Sequence, residues 1–453
     1  MKELLDKKWL TARTGDPFAD VGGMVIDYLL HLPQMKNKSI LELIDYAADI
    51  YIDNWGAKLH PFFLNSTITQ AQFIGSRKRE ETLDYFTLLI VEDIPCRQGY
   101  CEITGRKTTL FPAGRHNQIL TGSGTFVNYH SNLQPGTYLS KEILIRMFFV
   151  PLGVHRLADK IALITSNSEK VQQFFVFQNC INNMEAIANN TSVGPLKSIF
   201  RNPANALFKF IDNYLEHLES NLNNDEKRDF NAAGTSMDLY HFSNLGQKPE
   251  MALYAMDSDV FKFYTFCQTF YKPDWQLFIQ RHYSPDNYSK SIFNEEEQKW
   301  ETKEGEEITF HEYQRWRNFV LTALFNKGPL TRIFLKWSEK YPLPMAIITT
   351  YQTQIRGMKK GTVEKIEAIG MFIVSQEVAY VEDILQELNS AMSRAELRKI
   401  FLKLQELAYQ RGAKDAIISA KEYLDYLVPV GSAWTELRDL FVICIYQKRH
   451  LNN

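Results

Sequence analysis

TGDPFADVGGMVIDYLL, residues 14–30, decides where the first core begins. Asp16 ahead of Pro17 predicts an N-cap followed by proline at the first helical position, where the missing N–H costs nothing. Phe18, Val21, Val25 and Leu29 then share one helical face. A second helix is expected from Ser39, whose hydroxyl and Glu42 make a capping-box pattern ahead of Ile44 and Ala48. Further on, DYFTLLIV (84–91) reads as a strand by its run of Phe, Leu, Ile and Val. SKEILIRMFFVPLGVHRLADKIALITS (140–166) predicts a helix from Ser140 with Glu142 in its first turn, then an extended segment near IALITS.

Between these elements the texture changes. Residues 92–137 carry glycines at 99, 105, 114, 122, 124 and 136 and prolines at 95, 112 and 135, which predicts a turn-rich insertion with short strands. Residues 216–248 and 294–307 are polar and read as exposed loops or linkers, the seven glutamates of the second being a solvated run. From about 311 the pattern is helical. Its stripes include Ile384 and Leu388, then Leu397, Ile400, Phe401, Leu404 and Leu407. Ser393 with Glu396 reads as a capping box, Gly412 as a C′ glycine, and Pro429 with Gly431 as a helix separator. Short connections predict an antiparallel bundle. The expected fold is α+β: a mixed N-terminal domain over 1–310 containing the 92–137 insertion, then a helical bundle over 311–453.

With 453 residues, 45% of them hydrophobic and 13% aromatic, the chain can build two or three real cores. A formal charge of −2 gives no global basic field, so any polyanion site must be local. Five scattered cysteines form no disulfide framework and fit a reducing cytosol. MKELLDKKWLTARTGDP at the start lacks the apolar core expected of a signal peptide, and no apolar run approaches the ~20 residues of a membrane span. A cytoplasmic protein without a membrane partner is expected.

The sequence has no GxxxxGK(S/T) loop, GxSxG elbow or HExxH pair. Isolated histidines beside aromatics, such as His60 and His282, read as structural. In CRQGYCEITGRK (96–107), Cys96 and Cys101 fall within the C-x₂₋₄-C range of zinc sites, but no second pair follows. His116 and His130 could serve only if the loops folded back, so neither metal nor cofactor is expected.

LTGSGTFVNYHSN (120–132) is either a hairpin whose glycines serve turn geometry or an anion nest. Arg97, Arg106, Lys107 and Arg115 nearby stand against one acid, Glu102, and shift the balance toward nucleic acid. The chemistry nominates Asn117, Asn128 and Asn132 for base edges. Gly122, Ser123 and Gly124 are nominated for phosphate, and Arg106, Lys107 and Arg115 for the duplex backbone. The bundle has ten Lys/Arg against seven Asp/Glu over 392–450, a slightly basic surface compatible with tracking a backbone.

TGDPFADVGG, CRQGYCEITGRK and NLQPGTYLSKEILIRMFFVPLGVHRLADK (132–160) together resemble one family. It is the large subunit of type I-B CRISPR effector complexes (Cascade), in the branch with a TG-D/N-PF-x-D-x-G signature. The resemblance implies a non-catalytic protein at the crRNA 5′ end. Such a protein contacts the protospacer-adjacent motif (PAM) in target double-stranded DNA, separates the strands and stabilises the R-loop. Implied partners are crRNA, target DNA, the backbone, 5′-handle and small subunits, and a recruited helicase–nuclease. The bundle would resemble the small subunit, and Met345 or Met358 could start a separate product. Relatives' paired cysteines suggest zinc. This chain has only Cys96 and Cys101, so no metal is carried over. Two other classes stay open: a metal- or thiol-dependent enzyme using Cys96/Cys101, and a protein-binding helical scaffold.

Overall fold

A computed structural model describes residues 5–120, 127–128, 134–135, 137–221, 234–243, 250–285, 290–424 and 434–452. The chain is α+β with a helical C-terminal region. It divides into one unit of 1–220 with 235–257 and another of 221–234 with 258–453. The expected boundary at 310/311 therefore moves back to 257/258. The physical reason lies in aromatic packing: Phe263 and Phe278 meet Tyr351 and Phe334 at ring separations of 5.7 and 5.3 Å. The helices Ser258–Phe270 and Lys272–Arg281 thus belong to the C-terminal core.

The first unit opens with α1 (Lys7–Thr11), α2 (Pro17–His31) and α3 (Ile40–Asp49). The Asp16 carboxylate accepts the Ala19 N–H at 2.7 Å, with Pro17 at the first position, so α2 starts where its chemistry demands. Val21, Val25, Ile26 and Leu29 are fully buried. At α3 the capping box is complete: Glu42 N–H donates to Ser39 Oγ, and Ser39 N–H donates to Glu42 Oε2 at 2.7 Å.

DYFTLLIV is not a strand. It is the second half of α4 (Ser76–Val91), entered through the charged stretch SRKREETL. Thr82, Phe86, Leu89 and Ile90 are its buried positions, a spacing of three to four that turns one helical face inward. The apolar run looked like a strand because it is short. The upstream charges supply the remaining turns.

Strands β1 (Arg97–Tyr100) and β2 (Lys107–Ala113) follow, with β3 (Val127–Asn128), β4 (Gln134–Pro135) and β5 (Thr137–Leu139). β1, β2 and β5 form an antiparallel sheet in that order, and β3 pairs with β4. Next come α5 (Lys141–Phe149), β6 (His155–Leu157), β7 (Lys160–Ser166), α6 (Glu169–Ala188), β8 (Lys197–Ser198) and α7 (Pro203–Asn221). The unit closes with β9 (Met237–Ser243) and β10 (Glu250–Met256).

A five-stranded sheet runs β10-β9-β7-β6-β8, antiparallel except at β6–β8. β9 corrects the loop expected over 216–248. Met237, Leu239 and His241 alternate inward, a period of two hidden within polar surroundings. Every residue of α5 is buried, and the helix packs against α2.

In the second unit, 294–307 is likewise more ordered than a linker. Strands Ser291–Asn294 and Lys299–Thr302 pair as a hairpin that buries Trp300. The terminal helix Trp434–Asn452 packs on Thr331–Ser338, Lys360–Val374 and Val378–Ser390. Leu397, Ile400, Phe401 and Leu404 line the inner face of Arg394–Gln410, while Leu407 is half-buried.

That helix starts with Ser393 accepting the Glu396 N–H, but Glu396 takes the Met392 N–H at 2.6 Å, so the box is not reciprocal. It ends at Gly412 (φ 86°), where Gly412 and Ala413 donate to Tyr409 and Ala408, a Schellman closure. Pro429 and Gly431 lie outside the described residues. Among the described residues no helix is long and apolar enough to cross a membrane.

Candidate nucleic-acid interface

TGDPFADVGG (14–23) helps build a buried electrostatic knot around Arg146, a residue with no local motif to mark it. Its guanidinium, on α5, has no solvent exposure. Nε donates to the Ala19 carbonyl at 2.6 Å, Nη1 to Trp9 and Ala12 at 3.2 and 2.7 Å, and Nη2 to Asp20 Oδ1 at 3.0 Å. Asp20 in turn accepts from Thr14 N–H and Oγ1, both 2.7 Å, and from Gly15 N–H at 3.0 Å. Burial pushes the Arg146 pKa down, and the carboxylates of Asp20 and Asp16 push it back up. The glycines have a steric role. A Cβ on Gly22 would sit 2.0 Å from the Arg146 carbonyl oxygen, so only glycine lets α2 approach the α5 backbone. Thr14, Gly15, Asp20 and Gly22 are thereby explained as a seat for one cation between two helices, and Asp16 with Pro17 as the start of α2.

α5 also pins the glycine-rich insertion. Lys141 Nζ donates to Glu92 Oε1 at 2.7 Å and to the Ile90 carbonyl at 3.2 Å, joining the two ends of the segment. Inside it, CRQGYCEITGRK is a β-hairpin. Cys101 N–H donates to the Arg106 carbonyl at 2.9 Å, and Gly105 (φ 65°) turns the tip.

Cys96 and Cys101 flank β1, one exposed and one buried. Five steps of extended chain span about 16 Å. Two thiolates on one zinc, each at about 2.3 Å, lie within roughly 4 Å of each other. This geometry removes the shared-zinc reading.

The nominated basic residues separate into two kinds. Arg106 is spoken for: it pairs with Asp6 at 3.1 Å and stacks over Trp9 at 4.3 Å, which anchors the hairpin to α1. Lys107 is exposed, stands opposite Tyr100 in the β1–β2 register, and has no ion-pair partner among the described residues. Tyr100 is 67% exposed. Arg97, at the other end of β1, lies over the Tyr138 ring at 3.4 Å. Arg115 is half-buried, and its carbonyl accepts the Leu64 N–H at 3.0 Å.

The nomination of Asn117 for a base edge is corrected. It is buried, its Oδ1 accepts Gly114 N–H at 2.9 Å, and its amide donates to Tyr85 OH and Pro112 O at 2.9 and 3.1 Å. With every polar atom engaged in the turn after β2, no edge remains for a base. Asn128 sits on β3 opposite Gln134. Gly122, Ser123, Gly124 and Asn132 lie outside the described residues. His282 is structural, its Nδ1 bonded to the Phe278 carbonyl at 2.7 Å.

Below this turn a cavity of about 410 Å³ opens between α4, the 63–73 segment and residues 116–117. Phe63, Phe73, Tyr85, Phe86 and Phe148 make its walls. No protein-family model matches the chain, and no curated protein matches it.

Proposed function

We propose that the chain is a nucleic-acid-binding subunit without turnover of its own, namely the large subunit of a type I-B CRISPR surveillance complex. In this reading it senses the PAM in target duplex, promotes strand separation and holds the R-loop until a helicase–nuclease arrives. Its partners would be crRNA, target DNA and the other Cascade subunits. The observation that carries the reading is the hairpin tip, where an exposed cation, Lys107, and an exposed aromatic, Tyr100, stand side by side on a rigid strand pair. A backbone phosphate and a base or sugar face are the natural partners of such a pair. The TGDPFADVGG stretch that carries the resemblance also has a coherent physical role here, in the Arg146 seat. Delegation of sequence reading to the guide fits a protein whose own contacts are few and local.

The test is purification of the tagged full chain with its associated RNA, followed by duplex binding across a salt series. Lys107→Ala should lower affinity equally for PAM-bearing and PAM-less targets and reduce the log–log salt slope by about 1. Asn128→Ala should weaken PAM-bearing targets selectively. A tagged chain that retains no RNA and binds neither duplex would overturn the reading.

A further inference from the structure

The cavity under the Gly114–Asn117 turn has a feature that points to a ligand. Asn117 has its orientation set from outside, because Oδ1 must accept the Gly114 N–H. Its amide therefore faces Tyr85 as a donor, at 2.9 Å. The phenol oxygen is thus the acceptor in that bond, and its own proton is left for something else. Among the described residues, no acceptor receives it. Tyr85 lines the cavity, and burial pushes its pKa up to about 12, so the O–H stays a donor at all physiological pH. His116 lies at 6.2 Å from Tyr85 with its ring nearly perpendicular, at 81°. It also lines the cavity, and partial burial lowers its pKa.

The space is therefore a pocket with five aromatic side chains and a polar side of Asn65, Ser66, Thr67, Gln70 and Thr82. Thr67 and Thr82 bond to each other, Ser66 to Thr69 and Gln70 to the Asn65 carbonyl, whereas Tyr85 keeps its proton. The pocket's volume falls in the range of small-ligand sites. Aromatic walls favour a flat aromatic guest, and the unengaged Tyr85 donor wants a ring acceptor on the guest's edge. A nucleobase has both, and aromatic pockets are how unstacked bases are held.

We infer that this cavity takes one unstacked nucleobase, whose edge acceptor receives the Tyr85 hydroxyl proton. The site is separate from the Tyr100–Lys107 hairpin and requires neither PAM nor duplex. The base could belong to a strand or to a free nucleotide. The test separates these sources.

The full chain is titrated into 2-aminopurine riboside monophosphate and, separately, into a short single-stranded oligonucleotide carrying one 2-aminopurine. A saturable emission change with the free nucleotide assigns a nucleotide site. A change with the oligonucleotide alone assigns a strand site. Tyr85→Phe keeps the ring and removes the proton, so affinity for the responding probe should fall about three- to tenfold. Phe73→Ala, on the cavity wall, should weaken it as well, while Lys107→Ala should leave the emission change of the free nucleotide intact. Silence from both probes, or a response unaltered in Tyr85→Phe and Phe73→Ala variants that melt like the parent chain, overturns the inference. Failure of PAM-dependent binding with these responses intact would sink the hairpin reading alone.

Discussion

The Arg146 seat and the Tyr100–Lys107 hairpin tip lie in one unit and use charge in opposite ways. In the seat, a cation without solvent exposure donates to three carbonyls and a carboxylate, and that carboxylate accepts three further donors. At the tip, Lys107 stands exposed beside an exposed phenol. A buried charge is held in place by its partners, whereas an exposed unpaired one contributes little to stability and stays available. The first kind specifies a fold and the second can serve an interaction. Thr14, Gly15, Asp20 and Gly22 are of the first kind, so they speak to architecture before they speak to binding.

The contrast breaks most sharply at Asp20. Asp20→Ala leaves Arg146 buried without its carboxylate and should destabilise the chain by about 3–5 kcal/mol, read by chemical denaturation. Loss below about 1 kcal/mol would mean that the carbonyls alone satisfy the cation.

A pH series gives the next largest effect. Burial pushes His155, on β6, down to about 4. The folded state therefore binds fewer protons than the unfolded one between about pH 6.5 and 4, and stability falls as pH drops through that window. The loss is at most about 1.4 kcal/mol per pH unit for one group, or roughly 3 kcal/mol in all. His241 is pushed the same way by burial, so His155→Leu should lessen the slope without abolishing it. An unchanged slope would exclude His155 as its main source.

Gly22→Ala follows, at about 1–3 kcal/mol, because a methyl at that point must move the α5 backbone. Wild-type stability in this variant would show that α2 and α5 can separate freely. The smallest effect is expected at the tip. Tyr100→Ala and Lys107→Ala should each change stability by less than about 0.5 kcal/mol while altering nucleic-acid affinity. A large stability loss there would erase the distinction between the two regions.

Local chemistry was legible in the sequence where cause and effect sit within one turn. Asp16 with Pro17, Ser39 with Glu42, and Gly412 needed no distant partner, and each acts where it was expected. Arg146 was silent because its ligands come from residues 9–20, more than a hundred positions upstream. Asn117 misled because an asparagine among glycines and basic residues suits a turn as well as a base edge, and only the Gly114 and Tyr85 bonds decide between them. α4 and β9 were misread for a shared reason: each places a short apolar pattern beside charged or polar text that belongs to the same or a neighbouring element. Cys96 and Cys101 had suitable spacing in sequence but not in space, since a strand rather than a turn separates them.

The Lys141–Glu92 clasp has a consequence for how this chain can diverge. Because the clasp holds both ends of the 92–141 stretch, what lies between behaves as a closed loop mounted on α4 and α5. Closure entropy grows only with the logarithm of loop length, about 0.6 kcal/mol per doubling. Length changes within it are therefore cheap in closure entropy, whereas Leu110 and Phe111, which it lends to the core, and Arg106, which ties its hairpin to α1, must keep their places.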